Sequence, residues 1–205
     1  MKNLILILLI LCSEFSINAQ NTAGGFRLGL TTSIDKNLSS EIMRNNEYTG
    51  ISVEYDKINY RLGLNLEFEL NQGFAINTAI NYSNKNFTGA YYCTVCYGFI
   101  LPLFPPEDFD FRLIEVPISL RYYFLPDKLR IFGEVGFNNQ FLLNKEITDE
   151  SYAQAIKLGT GVEYDFTQEI ALQMFVDYNK GITNFYKKSD FKLNYVGLGI
   201  GIMKR

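Results

Sequence analysis

Two groups of residues in this chain are of types that do chemistry. The first is a set of charged side chains at alternate positions of otherwise apolar runs. Arg27, Arg61, Arg121, Arg130 and Lys157 are its bases; Glu67, Glu69, Glu115, Glu134, Glu163, Asp165 and Asp177 are its acids. Gathered in one enclosed space, such groups can pair as a structural plug, exchange partners along an ion path, or act as a catalytic carboxylate pair. The second group is Cys93 and Cys96, in Tyr91-Tyr92-Cys93-Thr94-Val95-Cys96-Tyr97. Histidine is absent altogether. Its absence removes the commonest general base, the commonest metal ligand and every Ser-His or Cys-His nucleophile pair. Two thiolates without histidine cannot close a tetrahedral zinc site in one chain, and no βαβ setting makes the pair a redox motif. In an oxidising compartment a local disulfide between Cys93 and Cys96 is the expected state. No enzyme activity, metal or cofactor is expected.

The elements that carry the charges are strands. From Ile114 to Phe124 the apolar Ile114, Val116, Ile118, Leu120, Tyr122 and Phe124 alternate with Glu115, Pro117, Ser119, Arg121 and Tyr123. A period of two means β-strand. After a tight Pro-Asp turn, Leu129, Ile131, Val135, Phe137 and Phe141 alternate with Arg130, Glu134, Asn138 and Gln140. The same pattern recurs near 25–34, 61–70, 74–83, 156–165, 170–178 and 196–202, which makes eight strands. Each is about ten residues long, roughly twice the usual soluble strand and about what a tilted transmembrane strand needs. Connections alternate between short (71–73, 125–128, 165–168) and long (35–59, 84–110, 144–154, 180–190). The class expected is all-β: an eight-stranded antiparallel up-and-down transmembrane β-barrel with short periplasmic turns and long extracellular loops. The apolar parity should face lipid and the charged parity the interior.

An eight-stranded barrel is just wide enough for side chains to fill it, so the interior charges should pair. Counting back from the turns places Lys157 opposite Asp177 and Arg121 diagonal to Glu134. With Glu115 and Arg130 these form the candidate ion-pair network of the lumen. Tyr82, Tyr122, Phe124, Tyr164 and Tyr178 fall near strand ends on the outward parity, as interfacial girdles would. Gly197, Gly199 and Gly201 lack the setting of a phosphate loop and are read as room for bulky neighbours in a narrow lumen. The connection 84–110 carries Phe99, Ile100, Leu101, Leu103, Phe104 and Pro105-Pro106. It is expected either to pack on the barrel rim or to serve another envelope or extracellular protein as a partner site.

Residues 1–19 read as a signal peptide. Lys2 precedes an unbroken apolar run from Leu4 to Leu11, and Ile17-Asn18-Ala19 offers a small-residue cleavage site before Gln20. The run is about half the ~20 residues of a bilayer-spanning helix. Cys12 follows Leu11, which is large where a lipoprotein site wants a small residue, so plain cleavage is expected. The barrel domain then covers 20–205, in the outer membrane of a Gram-negative envelope and in contact with its lipid. A net charge of −3 gives no electrostatic support to nucleic-acid binding.

Ile114-Glu115-Val116-Pro117-Ile118 with Arg121-Tyr122-Tyr123-Phe124, and Asp177-Tyr178 followed by Gly181-Ile182-Thr183-Asn184, resemble the PorT-like outer-membrane β-barrel family of Bacteroidetes. With the spacing of the other strands, the likeness spans about 24–203. It implies the barrel fold and a structural, surface-interaction, or envelope- or secretion-accessory role. Two other readings stand beside it. In a periplasmic or secreted lipocalin-like calyx holding a small apolar ligand, the apolar parity would face inward. A lipid-modifying barrel enzyme is the third, a class whose known eight-stranded examples rely on histidine.

Overall fold

The computed structural model describes residues 25–39, 41–44, 48–70, 73–93, 105–124, 128–144, 151–184 and 191–204. Its strands are β1 (Phe26–Asn37), β2 (Glu41–Arg44), β3 (Thr49–Asp56), β4 (Asn59–Glu69), β5 (Phe74–Cys93), β6 (Glu107–Tyr123), β7 (Leu129–Leu142), β8 (Tyr152–Asp165), β9 (Ile170–Gly181) and β10 (Tyr195–Lys204). β1 and β4 to β10 pair antiparallel in chain order, and β10 returns to β1 from Leu28↔Lys204 to Asn37↔Tyr195. Eight strands therefore close a barrel with no free edge, as the sequence pattern predicts. No described helix is long and apolar enough to cross a membrane; the crossing elements are strands.

Burial alternates along every barrel strand, and its sense decides between the competing readings. Leu62 is 56% exposed, Ile118 53%, Leu120 45% and Leu198 62%, while Arg27, Arg61, Glu67 and Arg121 on the opposite parity are buried. In water so large an apolar surface would be a liability; in hydrocarbon it is the natural exterior. A calyx with an apolar interior is incompatible with this arrangement. Rings cluster at both ends of the apolar band. Phe74 lies 4.7 Å from Tyr122, and Tyr122 meets Phe124 edge-on at 5.0 Å, at the short-turn rim. Tyr60–Tyr82 (6.3 Å) and Phe141–Tyr152 (5.2 Å) lie at the other.

The long connections hold more structure than the alternation predicts. β5 runs on to Cys93 and β6 begins at Glu107, so 84–93 and 107–110, expected as loop, are strand, and the two strands stay paired from Asn84↔Arg112 to Gly89↔Glu107. The segment 35–59, expected to be irregular, supplies the end of β1 and the β2–β3 hairpin. β3 pairs the far part of β5, Thr49↔Cys93 to Asp56↔Phe87, on the edge that β4 uses lower down. The two strands thus act as one line interrupted at Lys57-Ile58, where the Lys57 N–H donates to the Asn86 carbonyl (3.1 Å). These segments escape the period-two reading because beyond the bilayer the outer face turns polar, as at Asn84, Asn86 and Thr88, and no longer contrasts with an inner face that holds Lys85.

Ahead of β10, Phe191 and Leu193 turn inward. They pack with Phe87, Phe109, Phe111, Leu113, Leu142, Ala153 and Tyr195 in an apolar plug at the long-connection rim. Phe87 stacks on Phe111 at 5.4 Å, and Phe111 meets Phe191 at 5.9 Å. At the other end Ala75, Tyr123, Phe132 and Phe175 form a smaller cluster. The β4–β5 hairpin turns at Gly73, whose φ of +83° suits glycine and few other residues. The signal peptide expected at 1–19, the turn expected at Pro126-Asp127, Cys96 and the apolar stretch 99–104 fall outside the described residues.

Candidate functional site

The lumen is built from the inward parity of all eight barrel strands and separates into two charged clusters. In the half near the short turns, Arg27 on β1 reaches Glu67 on β4 (2.7 Å) and Glu163 on β8 (2.8 Å). Arg121 on β6 bridges Glu67 (2.8 Å) and Glu134 (2.9 Å), and Lys157 on β8 takes the other oxygen of Glu134 at 2.7 Å. Arg130 pairs with Glu163 and sits 3.4 Å from Glu69. The Tyr123 hydroxyl donates to Glu67 (2.9 Å), and Asn77 Nδ2 donates to Glu134 (3.1 Å). The guanidinium of Arg121 lies 4.0 Å over the Phe132 ring, and that of Arg130 lies 4.5 Å over Tyr123.

The second cluster lies nearer the long connections. Arg61 on β4 makes a two-pronged pair with Asp177 on β9 (2.7 and 2.8 Å) and donates through Nε to Ser33 (3.0 Å). Asp35 binds Lys85 and stands 3.3 Å from Arg61. Glu115 accepts hydrogen bonds from the Tyr195 hydroxyl (2.6 Å) and Asn138 Nδ2 (2.7 Å), with Lys85 Nζ 3.6 Å away. Lys85 also lies 4.2 Å over the Tyr195 ring. Gly197 makes room for this knot, since a Cβ there would sit 2.4 Å from Asp35 Oδ1 and 2.5 Å from Asp177 Oδ1. Gly199 does the same for the Phe175 ring, so the space-making reading of these glycines fits the geometry.

Of the six residues proposed as the network, Arg121, Glu134 and Lys157 meet directly, Arg130 joins the same cluster through Glu163, and Glu115 and Asp177 stand in the other cluster. Two expected pairings are corrected. Lys157 lies opposite Asn179, not Asp177, which faces Gly159 and belongs to Arg61. Arg121 lies directly across from Glu134 rather than diagonal to it. Asp35 and Lys85 were hidden because both fall in segments read as loop. The continuing inward parity Asn81-Ser83-Lys85 was the available signal for the second. Cys93 is disulfide-bonded at the far end of β5, while Cys96 lies outside the described residues.

Between the clusters lies a polar cavity with about 30 Å³ of water-sized space, lined by Asn65, Asn77, Asn81, Gln173 and the charged groups Arg61, Asp177, Arg121, Glu134 and Lys157. That holds about two water molecules. Among the described residues no three His, Cys, Asp or Glu are grouped to hold a metal. Chemically the arrangement compensates buried charge. Burying one ion alone costs several kcal/mol, and each is held here by opposite charges or hydrogen bonds.

A closed eight-stranded sheet with a lipid-compatible exterior, two aromatic girdles and a charged, filled interior defines the class: an outer-membrane β-barrel. The chain belongs to the outer membrane protein beta-barrel domain family, whose model matches residues 4–203, and its place is the outer membrane. Among solved structures it is similar to OprG of Pseudomonas aeruginosa (TM-score 0.55, 13% identity, 87% of this chain and 94% of that one). It is similar also to Neisserial surface protein A (TM-score 0.52, 17% identity, 89% and 99%). At these identities the likeness is one of fold. No curated protein matches the sequence.

Proposed function

We propose that this barrel is a non-enzymatic scaffold of the PorT-like kind, which presents a protein-binding surface outside the membrane and serves envelope assembly or secretion as an accessory. The observation that carries this reading is the extension of β5 and β6 past the rim, with β3 paired along one edge and β2 along β3. A barrel that only needed to span the bilayer would have no use for a 20-residue strand. The lumen supports the reading by contrast: its ion pairs are enclosed, and the cavity between them is too small for a solute. An absence of catalysis is proposed on the same ground, because every interior carboxylate described above is engaged with a cation or a donor. A photo-crosslinking residue in place of the exposed Glu107 tests this in the native envelope. A discrete adduct with one envelope or extracellular protein is expected; adducts with lipid alone would reject the partner reading.

A further inference from the structure

The outward face of the long-connection rim is electrostatically lopsided. On the wall formed by β3 to β6 the basic residues are matched: Lys57 with Asp108 at 2.7 Å, and Arg112 with Asp110 at 2.9 Å. On the wall formed by β1, β10 and β9 they are not. Lys36, Lys180 and Lys192 are all exposed, and no acidic partner meets any of them among the described residues.

Register brings the three together. Lys36 pairs with Val196, and Val196 with Tyr178, so Lys36 stands on the rung of that girdle residue. Lys180 is two residues higher on β9. Lys192 runs so close to Gly181 that a Cβ there would sit 3.0 Å from the Cβ of Lys192, and its carbonyl accepts from the Ser39 hydroxyl (2.7 Å). With about 4.8 Å between strands and 3.4 Å per residue, the backbone positions of Lys180 and Lys192 lie roughly 8 Å apart, and those of Lys36 and Lys180 roughly 12 Å. Long flexible side chains close such gaps easily. At the same height Leu38 and Ile182 are exposed, and Ile34 and Leu198 lie below them. Unmatched cations above an apolar wall, at the level of the interfacial rings, have the form of an amphiphile's binding face.

We infer that Lys36, Lys180 and Lys192 form a docking face for the phosphorylated headgroup of an outer-leaflet lipid, whose acyl chains lie along Ile34 and Leu198. Three ammonium groups answer the charge of one or two phosphates, and the neighbouring apolar side chains answer the chains beneath. The inference depends on the outer-membrane placement and not on any protein partner.

The test is titration of the folded, detergent-solubilised barrel with diphosphoryl lipid A and with the same lipid dephosphorylated, read by native mass spectrometry. Wild type should prefer the phosphorylated lipid at least tenfold. K36Q/K180Q/K192Q should lose that preference, a roughly ten- to hundredfold weakening. K128Q/K204Q, which removes exposed lysines at the opposite rim, should leave it intact. Equal binding of the two lipids, undiminished binding by the triple variant, or equal loss in the opposite-rim variant would each overturn the assignment. If the triple variant does not fold, judged by gel mobility before and after boiling, the single variants are measured instead. Each should weaken binding several-fold, and no loss in any of them overturns it.

Discussion

Arg121 and Glu134 face each other across the β6–β7 ladder, with Arg121 Nη2 2.9 Å from Glu134 Oε2. The second Glu134 oxygen is held by Lys157 at 2.7 Å, so one carboxylate compensates two cations from the strands on either side of it. Removing it leaves Lys157 without its counter-charge in a buried site and Arg121 with Glu67 alone. Glu134→Ala should cost about 3–5 kcal/mol of barrel stability. Urea titration in lipid vesicles, scored by the mobility of unboiled samples, measures this. A midpoint equal to wild type would mean that the carboxylate is dispensable.

Pair assignment can be checked separately from stability. Lys157 and Glu134 touch, so the cycle of Lys157→Ala and Glu134→Ala should show an interaction energy of about 0.5–3 kcal/mol. Lys157 lies opposite Asn179, and Asp177 gives both its oxygens to Arg61. Lys157→Ala with Asp177→Ala should therefore show a smaller interaction energy than the first cycle, because no ion pair joins the two. Coupling in the second cycle and additivity in the first would reverse the assignment.

Gly197 predicts a third outcome. Its missing side chain is the space in which Asp35, Asp177 and Arg61 converge, and an added Cβ would come within 2.7 Å of the Arg61 Nη2 atom as well. Gly197→Ala must push that knot apart and should cost about 1–3 kcal/mol, as overpacking generally does. Gly201→Ala meets nothing nearer than the Thr31 methyl at 2.9 Å, which can turn aside, and should cost less. The two unfolding midpoints in the same vesicles give the comparison.

The barrel was legible because two different solvents act on one strand. Leu62, Leu64 and Leu66 against Arg61, Asn65 and Glu67 cannot be arranged any other way in a lipid-embedded sheet, so parity, strand count and the inward charges follow from the residues alone. Pairing did not follow. The last tight turn occupies 166–169, closed by Phe166 N–H to the Ile170 carbonyl, and is displaced along the chain from the 165–168 expected. A slip of two residues keeps every side chain on its face, so the pattern cannot detect it, although it moves Lys157 from Asp177 to Asn179. Lys85 and Asp35 were lost for a different reason. Where a strand leaves the bilayer its outer face turns polar, and the contrast that marks inside from outside disappears.

The lipid-facing assignment has its own mutational signature. Ile118 lies near the middle of the apolar band, between Thr78 and Phe137 on the neighbouring strands, and is 53% exposed. Ile118→Arg should destabilise the barrel by about 2–4 kcal/mol, while Tyr122→Arg, at the girdle, should lose the ring contacts but only about 0–1 kcal/mol to charge burial. Refolding into vesicles at graded urea concentration reads the difference. Equal losses at the two depths would speak against a hydrocarbon exterior.

The extension outside the membrane should respond to acid. Asp108 stands six residues beyond Ile114 on β6, well clear of the girdle. Hydrogen bonds from Lys57 and Thr88 hold its carboxyl below the ordinary carboxylate range. A carboxyl depressed in the folded state contributes stability above its unfolded pKa of about 3.9 and loses it as pH falls through the folded value. This tie fastens the Lys57-Ile58 break to β6, so the part of β5 beyond Phe87 should exchange its amide hydrogens faster below about pH 4 while the barrel strands keep their protection. Asp108→Asn removes the titrating group and should show the faster exchange already at neutral pH, with little further change on acidification. If wild type and Asp108→Asn exchange alike across that range, the tie does not hold the extension in place.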